Sequence, residues 1–578
     1  MRQSRLQGKI PGSGLLRRLV RNEDGALIIL SLQLFILMLV CTGVAIDLVR
    51  VEERRAVIQN TLDRAALAAT SLSQNLDPAY VVNDYLKKSG LDYLDINPVV
   101  EQGNFHEWRR VTIVAKDKMP TIFKPFTGVD YLSANANSQA IEAIGNVEIS
   151  LVLDVSGSMG DTVSSSTRIA LLKTAAKNFV NSMFDKVQPA SAPAGRLSIS
   201  VVPYNQQVIL GSKAARAFTL SNDHTANTCA DLTTLPTSSL AISPSTTLLR
   251  TMYGDSFDYW GQYALGQGNW GLQNAATNPN CEEKAATSVL AFATDKATIL
   301  NKIDGLTAKG DTAIDMGARW GLALLDPAAR PALSTMITNG DASGVIQGRP
   351  LDYDDGTKDI DETAMKVLVL MTDGQNTRSY STKAAYRSGN SGFVSTSGTA
   401  DFPATNDYPA NSGGSATKWN ALYYYSAGHT VMGVSKPYFK MSNSTWYKAS
   451  DLTAKNQITW ETIWGKSYSL QGAINYFLKP AFSAANGAIS NADLYTQMAI
   501  QSEFSQKDSD LSALCTTAKN NSHGVIIFTV AVDAPTNGVN ILRNCATADT
   551  YAYDVAGANV SDAFASIAEA INALRLTN

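Results

Sequence analysis

Asp154, Ser156 and Ser158 form a D-x-S-x-S pattern whose oxygen atoms can bind a hard metal ion. A nearly continuous apolar run begins at Val147 and ends at this pattern, and a helical pattern begins at Arg168. This order predicts a buried strand, a loop and a helix. Carboxylate and hydroxyl oxygens are the ligands that Mg²⁺ prefers. In open α/β sheets, ligands also bind at the carboxyl edge of the strands, so the loop is a candidate metal site.

The elements that must position this loop are apolar strands that alternate with helical patterns. After the first strand come LSISVVPY from Leu197, KVLVLMTDG from Lys366 and GVIIFTVAVD from Gly524. Such alternation predicts an α/β fold with a doubly wound, mostly parallel sheet covered by helices on both faces. Two insertions, at about 206–290 and 375–479, interrupt the pattern. Loops of this length usually have a function or a fold of their own, and their aromatic residues favour either recognition or simple coverage of the domain.

Residues 154–159, with the sequence DVSGSM, resemble the metal-ion-dependent adhesion site of von Willebrand factor A (VWA) domains. That family draws further ligands from a Thr that opens a helix and an Asp that ends a strand. Thr312, at the start of a helical run, matches the Thr, and Asp373, after KVLVLMT, matches the Asp. The resemblance implies a Rossmann-like VWA domain over residues 146–578 that binds Mg²⁺, Mn²⁺ or Ca²⁺. A domain that keeps the fold without the ion is the alternative.

A site of this family binds a ligand and does not catalyse a reaction. Asp154 and Asp373 would hold or orient the ion, partly through water. Ser156, Ser158 and Thr312 would contribute neutral oxygens, and an Asp or Glu of a protein ligand would complete the shell. Neither serine lies in a G-x-S-x-G elbow, so we expect no enzymatic activity. A hydrolase with Ser158 as its nucleophile is the rival hypothesis.

Residues 26–49 form an apolar run in which Asp47 is the first charged residue, and their number matches the roughly 20 residues of a transmembrane helix. The basic residues that precede this run are Arg2, Arg5, Lys9, Arg17, Arg18 and Arg21. Their charge predicts that the tail, residues 1–25, stays in the cytoplasm while the rest of the chain is exported. A cleavable signal peptide is the alternative, although its apolar core is usually about 7–15 residues. A lipoprotein modified at Cys41 is disfavoured because the bulky Val40 precedes it.

Residues 50–145 are predicted to form a helical stalk followed by a small mixed region. The stalk, residues 51–72, has apolar positions at three- and four-residue spacing and contains no Gly or Pro. It is either a solvated stalk or a pilin-like helix that packs against partner helices. The mixed region contains a strand-like segment at residues 111–116.

The five cysteines comprise Cys41, in the apolar run, and two local pairs. No C-x-x-C motif occurs, which disfavours a zinc ribbon or a thioredoxin-like centre. In an oxidising compartment the pairs predict the disulfides Cys229–Cys281 and Cys515–Cys545. Five reduced, buried cysteines are the alternative.

The overall charge disfavours a nucleic-acid partner. The formal net charge is −3, whereas binding to phosphates requires a basic face. The four histidines are far apart in sequence and form no H-E-x-x-H motif. They are His106, His224, His429 and His523.

The segment NEDGALIILSLQLFILMLVCTGVAIDLVR, followed by IQNTLDRAALAAT, resembles the start of TadG-like proteins of the Tad/Flp pilus-assembly system. Members of that family combine such a start with a C-terminal VWA domain. A prepilin cut after Gly25 would place Glu at the fifth following position, but Leu30 stands there, so we expect an uncleaved anchor. The resemblance implies a single-pass protein of the bacterial inner membrane with a periplasmic body.

Three functions agree with these observations. The first is a metal-dependent, protein-binding component of Tad/Flp pilus assembly whose partners are the pilus machinery and a ligand that presents Asp or Glu. The second is a surface adhesin that binds acidic ligand residues through the VWA metal site. The third is a metal-dependent chaperone that holds exported subunits before assembly.

Overall fold

A computed structural model of the chain describes residues 24–577, apart from 72–75, 103–107, 124, 126–127, 144, 164, 191, 253–254, 258–279, 354–362, 405–415, 467, 469 and 521. The chain divides into two compact units, Met1–Ile144 and Gly145–Asn578. The basic residues of the predicted cytoplasmic tail lie outside the described residues.

The first unit begins with one long helix, α1 (Asp24–Thr70). Its most apolar stretch has a mean hydropathy of 2.6, and only 6% of that stretch is buried. Its length and composition are compatible with a single-pass membrane anchor, and a signal sequence would have the same properties. The C-terminal half of α1 instead carries a buried face that includes Ile58, Leu62 and Ala66.

The head of the first unit packs against this buried face. A helix and an antiparallel sheet of order β1-β2-β5 supply the packing partners, and a short hairpin joins β2 to β5. The elements are α2 (Pro78–Lys88), β1 (Val99–Gln102), β2 (Trp108–Ala115), β3 (Lys118–Pro120), β4 (Tyr131–Ser133) and β5 (Ala136–Ala143). Strand β2 contains residues 111–115 of the predicted segment 111–116 and contributes Val111 and Ile113 to the core. One face of the predicted stalk is therefore covered by α2 and the chain's own sheet, while its other face, which includes Val57 and Leu67, is exposed.

The second unit contains a six-stranded sheet of order β13-β9-β6-β14-β24-β25. Its strands are β6 (Asn146–Asp154), β9 (Leu197–Tyr204), β13 (Leu290–Ala293), β14 (Ala364–Thr372), β24 (Ile526–Val532) and β25 (Ala552–Val555). Five strands are parallel, and β13 runs antiparallel at the edge. The predicted α/β class is confirmed, but the sheet is mixed. Strand β13 returns antiparallel because, among the described residues, no long crossover helix separates it from β9.

Helices cover both faces of this sheet. One face packs against α3 (Arg168–Val187), α5 (Lys296–Asp304) and α15 (Val560–Thr577). The other packs against α6 (Ile314–Ala323), α7 (Arg330–Thr338), α13 (Phe504–Lys519) and α14 (Thr536–Cys545). A Cβ atom on Gly321 of α6 would lie 2.4 Å from Val152, so this glycine lets the helix lie close to the sheet. Burial on both faces explains why β6 and β9 are mostly apolar and do not alternate between apolar and exposed polar residues.

The second predicted insertion has a core of its own. Its antiparallel sheet has the order β21-β20-β17-β16-β22, and its buried aromatic residues include Phe393, Trp464 and Phe477. The strands that begin in this region are β15 (Ser379–Thr382), β16 (Asn390–Ser395), β17 (Leu422–Tyr425), β18 (Thr430–Val431), β19 (Val434–Ser435), β20 (Tyr438–Lys440), β21 (Thr445–Tyr447) and β22 (Asn456–Thr459). Its helices are α8 (Ala416–Asn420), α9 (Trp460–Trp464), α10 (Leu470–Ala473) and α11 (Lys479–Asn486), with a π-helical turn at Ile474–Leu478. Many of the aromatic residues therefore fill a core.

The first insertion is linked to this core by a shared three-stranded sheet of order β12-β15-β23. Its buried Asp255 accepts the backbone N–H of Thr382 at 2.6 Å. The remaining elements here are α4 (Gly211–Ala215), β10 (Ala230–Asp231), β11 (Leu249–Arg250), β12 (Ser256–Phe257), α12 (Asn491–Met498) and β23 (Ala499–Ser502). The two insertions thus pack together.

Both predicted disulfides are present in the second unit. Cys229 and Cys281 are bonded within the first insertion, and Cys515 and Cys545 join α13 to α14. Cys41 is an exposed free cysteine on α1.

Candidate metal site

Three loops meet at the carboxyl edge of the central sheet. The first follows β6 and contains a 3₁₀ turn at Gly157–Gly160 and a two-stranded hairpin, β7 (Thr162–Val163) and β8 (Ser166–Thr167). The second precedes α6, and the third follows β14. Strands β6 and β14 are parallel neighbours, so their carboxyl ends lie side by side. The N–H of Gly157 donates to the carbonyl of Gly310 at 2.9 Å and joins the first two loops.

Asp154 is fully buried at the end of β6. Its carboxylate accepts the backbone N–H of Ser156 at 2.7 Å and the hydroxyl of Thr372 at 2.6 Å. Burial, together with the negative charge of Asp373, raises the pKa of Asp154 to about 7. The two carboxylates are therefore close enough to repel each other.

Asp373, directly after β14, accepts a hydrogen bond from the first loop. The Ser158 hydroxyl donates to its carboxylate at 2.7 Å, and the Ser156 and Ser158 hydroxyls are 3.1 Å apart. Burial raises the pKa of Asp373, although the hydrogen bond from Ser158 and the charge of Arg168 oppose this effect. Asp154, Ser156, Ser158 and Asp373 therefore form one cluster of oxygen atoms.

Thr312 lies beside the third loop, just before α6. Its carbonyl accepts the N–H of Thr377 at 3.0 Å and the Thr377 hydroxyl at 2.9 Å. Asn376 accepts the N–H of Ile314 at 2.7 Å and fixes the start of the helix. A Cβ atom on Gly374 would lie only 3.3 Å from the Thr312 hydroxyl oxygen. The structure thus brings Thr312 to the same edge as the other four predicted residues.

Arg168, at the start of α3, contacts the cluster but was not predicted to do so. Its guanidinium donates to the Asp373 carboxylate at 3.3 Å and to the Ser158 carbonyl at 3.2 Å. It also lies 3.5 Å from Asp161 and 3.6 Å from Asp533. A cation in the first turn of a helix is disfavoured by the helix dipole. Its position was therefore a sequence signal that an anion lies nearby.

The residues present fit a divalent cation that prefers oxygen ligands. Among the described residues, no group of three His, Cys, Asp or Glu side chains could hold a metal ion. The candidate site instead combines two carboxylates, of Asp154 and Asp373, with hydroxyl oxygens. A cation between two buried carboxylates would offset their repulsion, and an all-oxygen donor set suits Mg²⁺, Mn²⁺ or Ca²⁺.

The second unit is a mixed α/β domain with a candidate cation site at the carboxyl edge of its sheet. Residues 25–71, in the first unit, match the family model described as "Putative Flp pilus-assembly TadE/G-like". The predicted resemblance to the Tad/Flp system is therefore confirmed for this segment. No curated protein matches the chain.

Several solved structures are similar to the chain at low sequence identity. The vWF domain of the type V pili tip protein Mfa5 from Porphyromonas gingivalis is 16% identical, with 74% of this chain and 96% of that one covered and a TM-score of 0.29. The PilB minor pilin from Streptococcus sanguinis is 10% identical, with 83% and 78% covered and a TM-score of 0.27. The pilus adhesin SpaC from Lactobacillus rhamnosus GG, in its open conformation, is 12% identical, with 82% and 33% covered and a TM-score of 0.25.

Proposed function

We propose that this chain is a membrane-anchored, non-enzymatic component of a Tad/Flp pilus system. We further propose that its second unit is a VWA-type domain that binds a protein ligand through a divalent cation. The TadE/G-like match at residues 25–71 supports the pilus assignment. The observation that carries the binding function is the hydrogen bond of 2.7 Å from the Ser158 hydroxyl to the Asp373 carboxylate, which joins the loop after Asp154 to the end of β14.

In this proposal each side chain has a separate task. Asp154 and Asp373 supply the negative charge that holds the cation, while Ser156, Ser158 and Thr312 supply neutral oxygens. The bound cation would offer a coordination position to an Asp or Glu carboxylate of the ligand. The hydrogen bond from Thr372 orients Asp154, and that from Ser158 orients Asp373.

The proposed location is the bacterial inner membrane, with α1 as a single-pass anchor, the N-terminus in the cytoplasm and the second unit in the periplasm. The two disulfides support an oxidising compartment. The basic residues that precede the apolar run support the orientation.

Calorimetric titration of Mg²⁺ into the full-length protein in lipid nanodiscs tests the binding function. The parent should bind the ion, and both Asp154→Asn and Asp373→Asn should abolish binding because each removes one of two buried charges. Asp304→Asn is the matched control, because this carboxylate lies on α5 and pairs with the Lys177 ammonium at 2.7 Å on the surface. Circular dichroism would show that all variants fold. A parent that binds neither Mg²⁺ nor, in the same titration, Mn²⁺ or Ca²⁺ would refute the metal-dependent function.

A surface adhesin is the second candidate. The observation that favours it is the separately packed core formed by the second insertion, which begins directly after the third loop of the candidate site. Protease accessibility on intact cells separates the two candidates. An adhesin is cleaved from outside, whereas a periplasmic component of pilus assembly is protected until the outer membrane is permeabilised.

A further inference from the structure

The head of the first unit first covers α1 at Gly43 and Asp47. Every described side chain from residue 27 to 42 is exposed, apart from the partly buried Val40, and Gly43 and Asp47 are the first buried residues. No charged residue occurs between 26 and 46. These 21 helical residues span about 32 Å, close to the roughly 30 Å thickness of a hydrocarbon core. The head therefore first contacts α1 in the last turns of the apolar stretch.

The contact at this level is made by one end of the β3–β4 hairpin. We call residues 121–123 and 129–131 the hairpin tip. The N–H groups of Ile122 and Phe123 each donate to the Asp47 carboxylate at 3.1 Å. A Cβ atom on Gly43 would lie 2.7 Å from the Phe123 ring, so a glycine is needed where the ring packs against the helix. Backbone and side-chain contacts thus fix the tip to one turn of α1.

The other end of the hairpin lies further along α1, away from the bare stretch. The carboxylate of Asp117, just before β3, accepts a hydrogen bond from Arg54 at 2.5 Å. Arg54 follows Gly43 by eleven residues, which corresponds to about 17 Å along the helix. The hairpin therefore runs along α1 and points its tip toward the apolar end.

The hairpin tip exposes apolar and aromatic side chains. Ile122 and Tyr131 are each 59% exposed, and Val129 is 43% exposed. Tyrosine and aliphatic residues at the level where a transmembrane helix meets water are typical of membrane interfaces. Their continuity with the bare apolar surface of α1 favours lipid as the occupant of this surface.

We propose that the hairpin tip lies in the headgroup layer of the membrane and fixes the depth at which α1 leaves the bilayer. This inference rests on the proposed function of α1 as a retained anchor. The tip also makes Asp47 tolerable at that depth, because two backbone N–H groups and the nearby Arg50 satisfy its carboxylate.

The same unit offers a matched control position at the far end of α1. Arg109 donates to the carbonyls of Ala69 and Ser71, and the neighbouring Arg110 pairs in the sheet with Ile141. Ile141 is 49% exposed, so its side chain is accessible to a probe. Ala69 follows Gly43 by 26 residues, which places this end about 39 Å along the helix from the hairpin tip.

Site-specific fluorescence in liposomes tests the proposal on the full-length chain. Ile122→Cys, Ile141→Cys and Leu34→Cys are made in a Cys41→Ser background, in which the other four cysteines are bonded. Each protein is labelled with NBD and reconstituted in phosphatidylethanolamine and phosphatidylglycerol. Spin-labelled lipids carry the quencher either in the headgroup or in the middle of the acyl chain.

We expect the label at residue 34 to be quenched by the mid-chain lipid. The headgroup lipid should quench the label at residue 122 at least twofold more strongly than the label at residue 141. Equal quenching at 122 and 141, with residue 34 quenched, would overturn the inference and leave the anchor intact. Absence of quenching at residue 34 would refute the anchor and, with it, the inference.

A second variant tests the contact that positions the tip. Gly43→Leu in the Ile122→Cys protein places a side chain where the Phe123 ring packs, so the tip should leave the helix. Headgroup quenching at residue 122 should then fall to the level at residue 141, while mid-chain quenching at residue 34 persists in the matched Gly43→Leu protein. Retention of the quenching at residue 122 would contradict depth control by this contact.

Discussion

Replacement of Arg168 by glutamine should destabilise the second unit when no divalent cation is present and much less when Mg²⁺ is bound. The Arg168 guanidinium lies 3.3 Å from the Asp373 carboxylate, whose side chain is fully buried. Glutamine removes the positive charge and keeps a polar side chain of similar length. A bound cation would compensate for that loss because it faces the same carboxylate.

The expected loss of folding free energy follows from the distance between the two charged groups. Opposite unit charges at 3.3 Å attract by about 5 kcal/mol at an effective dielectric constant of about 20. Removal of one partner of a buried ion pair usually costs about 3–5 kcal/mol of folding free energy. Because the Arg168 side chain is 18% exposed, we expect a loss of folding free energy at the lower end of this range, about 3 kcal/mol, in EDTA. Saturating Mg²⁺ should reduce the loss by at least half.

Denaturant titration of the parent and the variant, each in EDTA and in Mg²⁺, measures the four free energies of unfolding. Lys177→Gln is the matched control on the same helix, because Lys177 pairs with Asp304 on the surface. It should cost less than about 1 kcal/mol in both conditions. An equal loss for Arg168→Gln in EDTA and in Mg²⁺ would refute the idea that Arg168 and the cation share Asp373.

Two further predictions concern the second unit. Because the pKa of Asp154 is raised to about 7, protons compete with the cation for this carboxylate. Calorimetry should therefore find a Mg²⁺ affinity about tenfold weaker at pH 6 than at pH 8. An equal affinity at the two pH values would contradict this prediction. Replacement of Cys515 by serine opens a loop with a sequence separation of 30 residues and should lower the free energy of unfolding by about 3–4 kcal/mol. Cys41→Ser, at the exposed free cysteine, should leave the free energy of unfolding unchanged in the same denaturant titration.

The long strands of the central sheet were predictable because their local pattern is unambiguous. Strands β6, β9, β14 and β24 are runs of seven to nine mostly apolar residues that end at polar or turn-forming residues. Strands β13 and β25 have four residues each and were not predicted. A four-residue segment carries too little periodicity to be told from a loop, and its pairing partner is distant in sequence.

The role of the second insertion could not be decided from composition. Aromatic residues favour both binding surfaces and cores, and only the contacts separate these roles. Trp464 is buried in the aromatic core, whereas Tyr425, at the end of β17, is exposed. The sequence contains no periodic signal that marks this difference, because the strands here are short and joined by irregular turns.

Only part of the candidate site could be predicted from the local spacing of residues. Asp154, Ser156 and Ser158 lie within five residues of one another, so their pattern was visible. Thr312 and Asp373 could be selected only through the family resemblance, because the fold brings them in from distant segments. Arg168 was missed for the same reason, since its partner Asp373 follows it by 205 residues.

The missed arginine changes the expected charge of the site. When both are ionised, the buried carboxylates of Asp154 and Asp373 carry, together with the guanidinium of Arg168, one net negative charge. Asp161 and Asp533 also lie near Arg168, but their side chains are 71% and 29% exposed, so solvent screens their charge more strongly. A divalent cation would turn this into one net positive charge, which favours an anionic ligand such as a carboxylate. Without Arg168 the cation would be held more tightly but neutralised by the protein. We therefore infer that Arg168 lowers cation affinity and raises the affinity of the loaded site for an acidic partner.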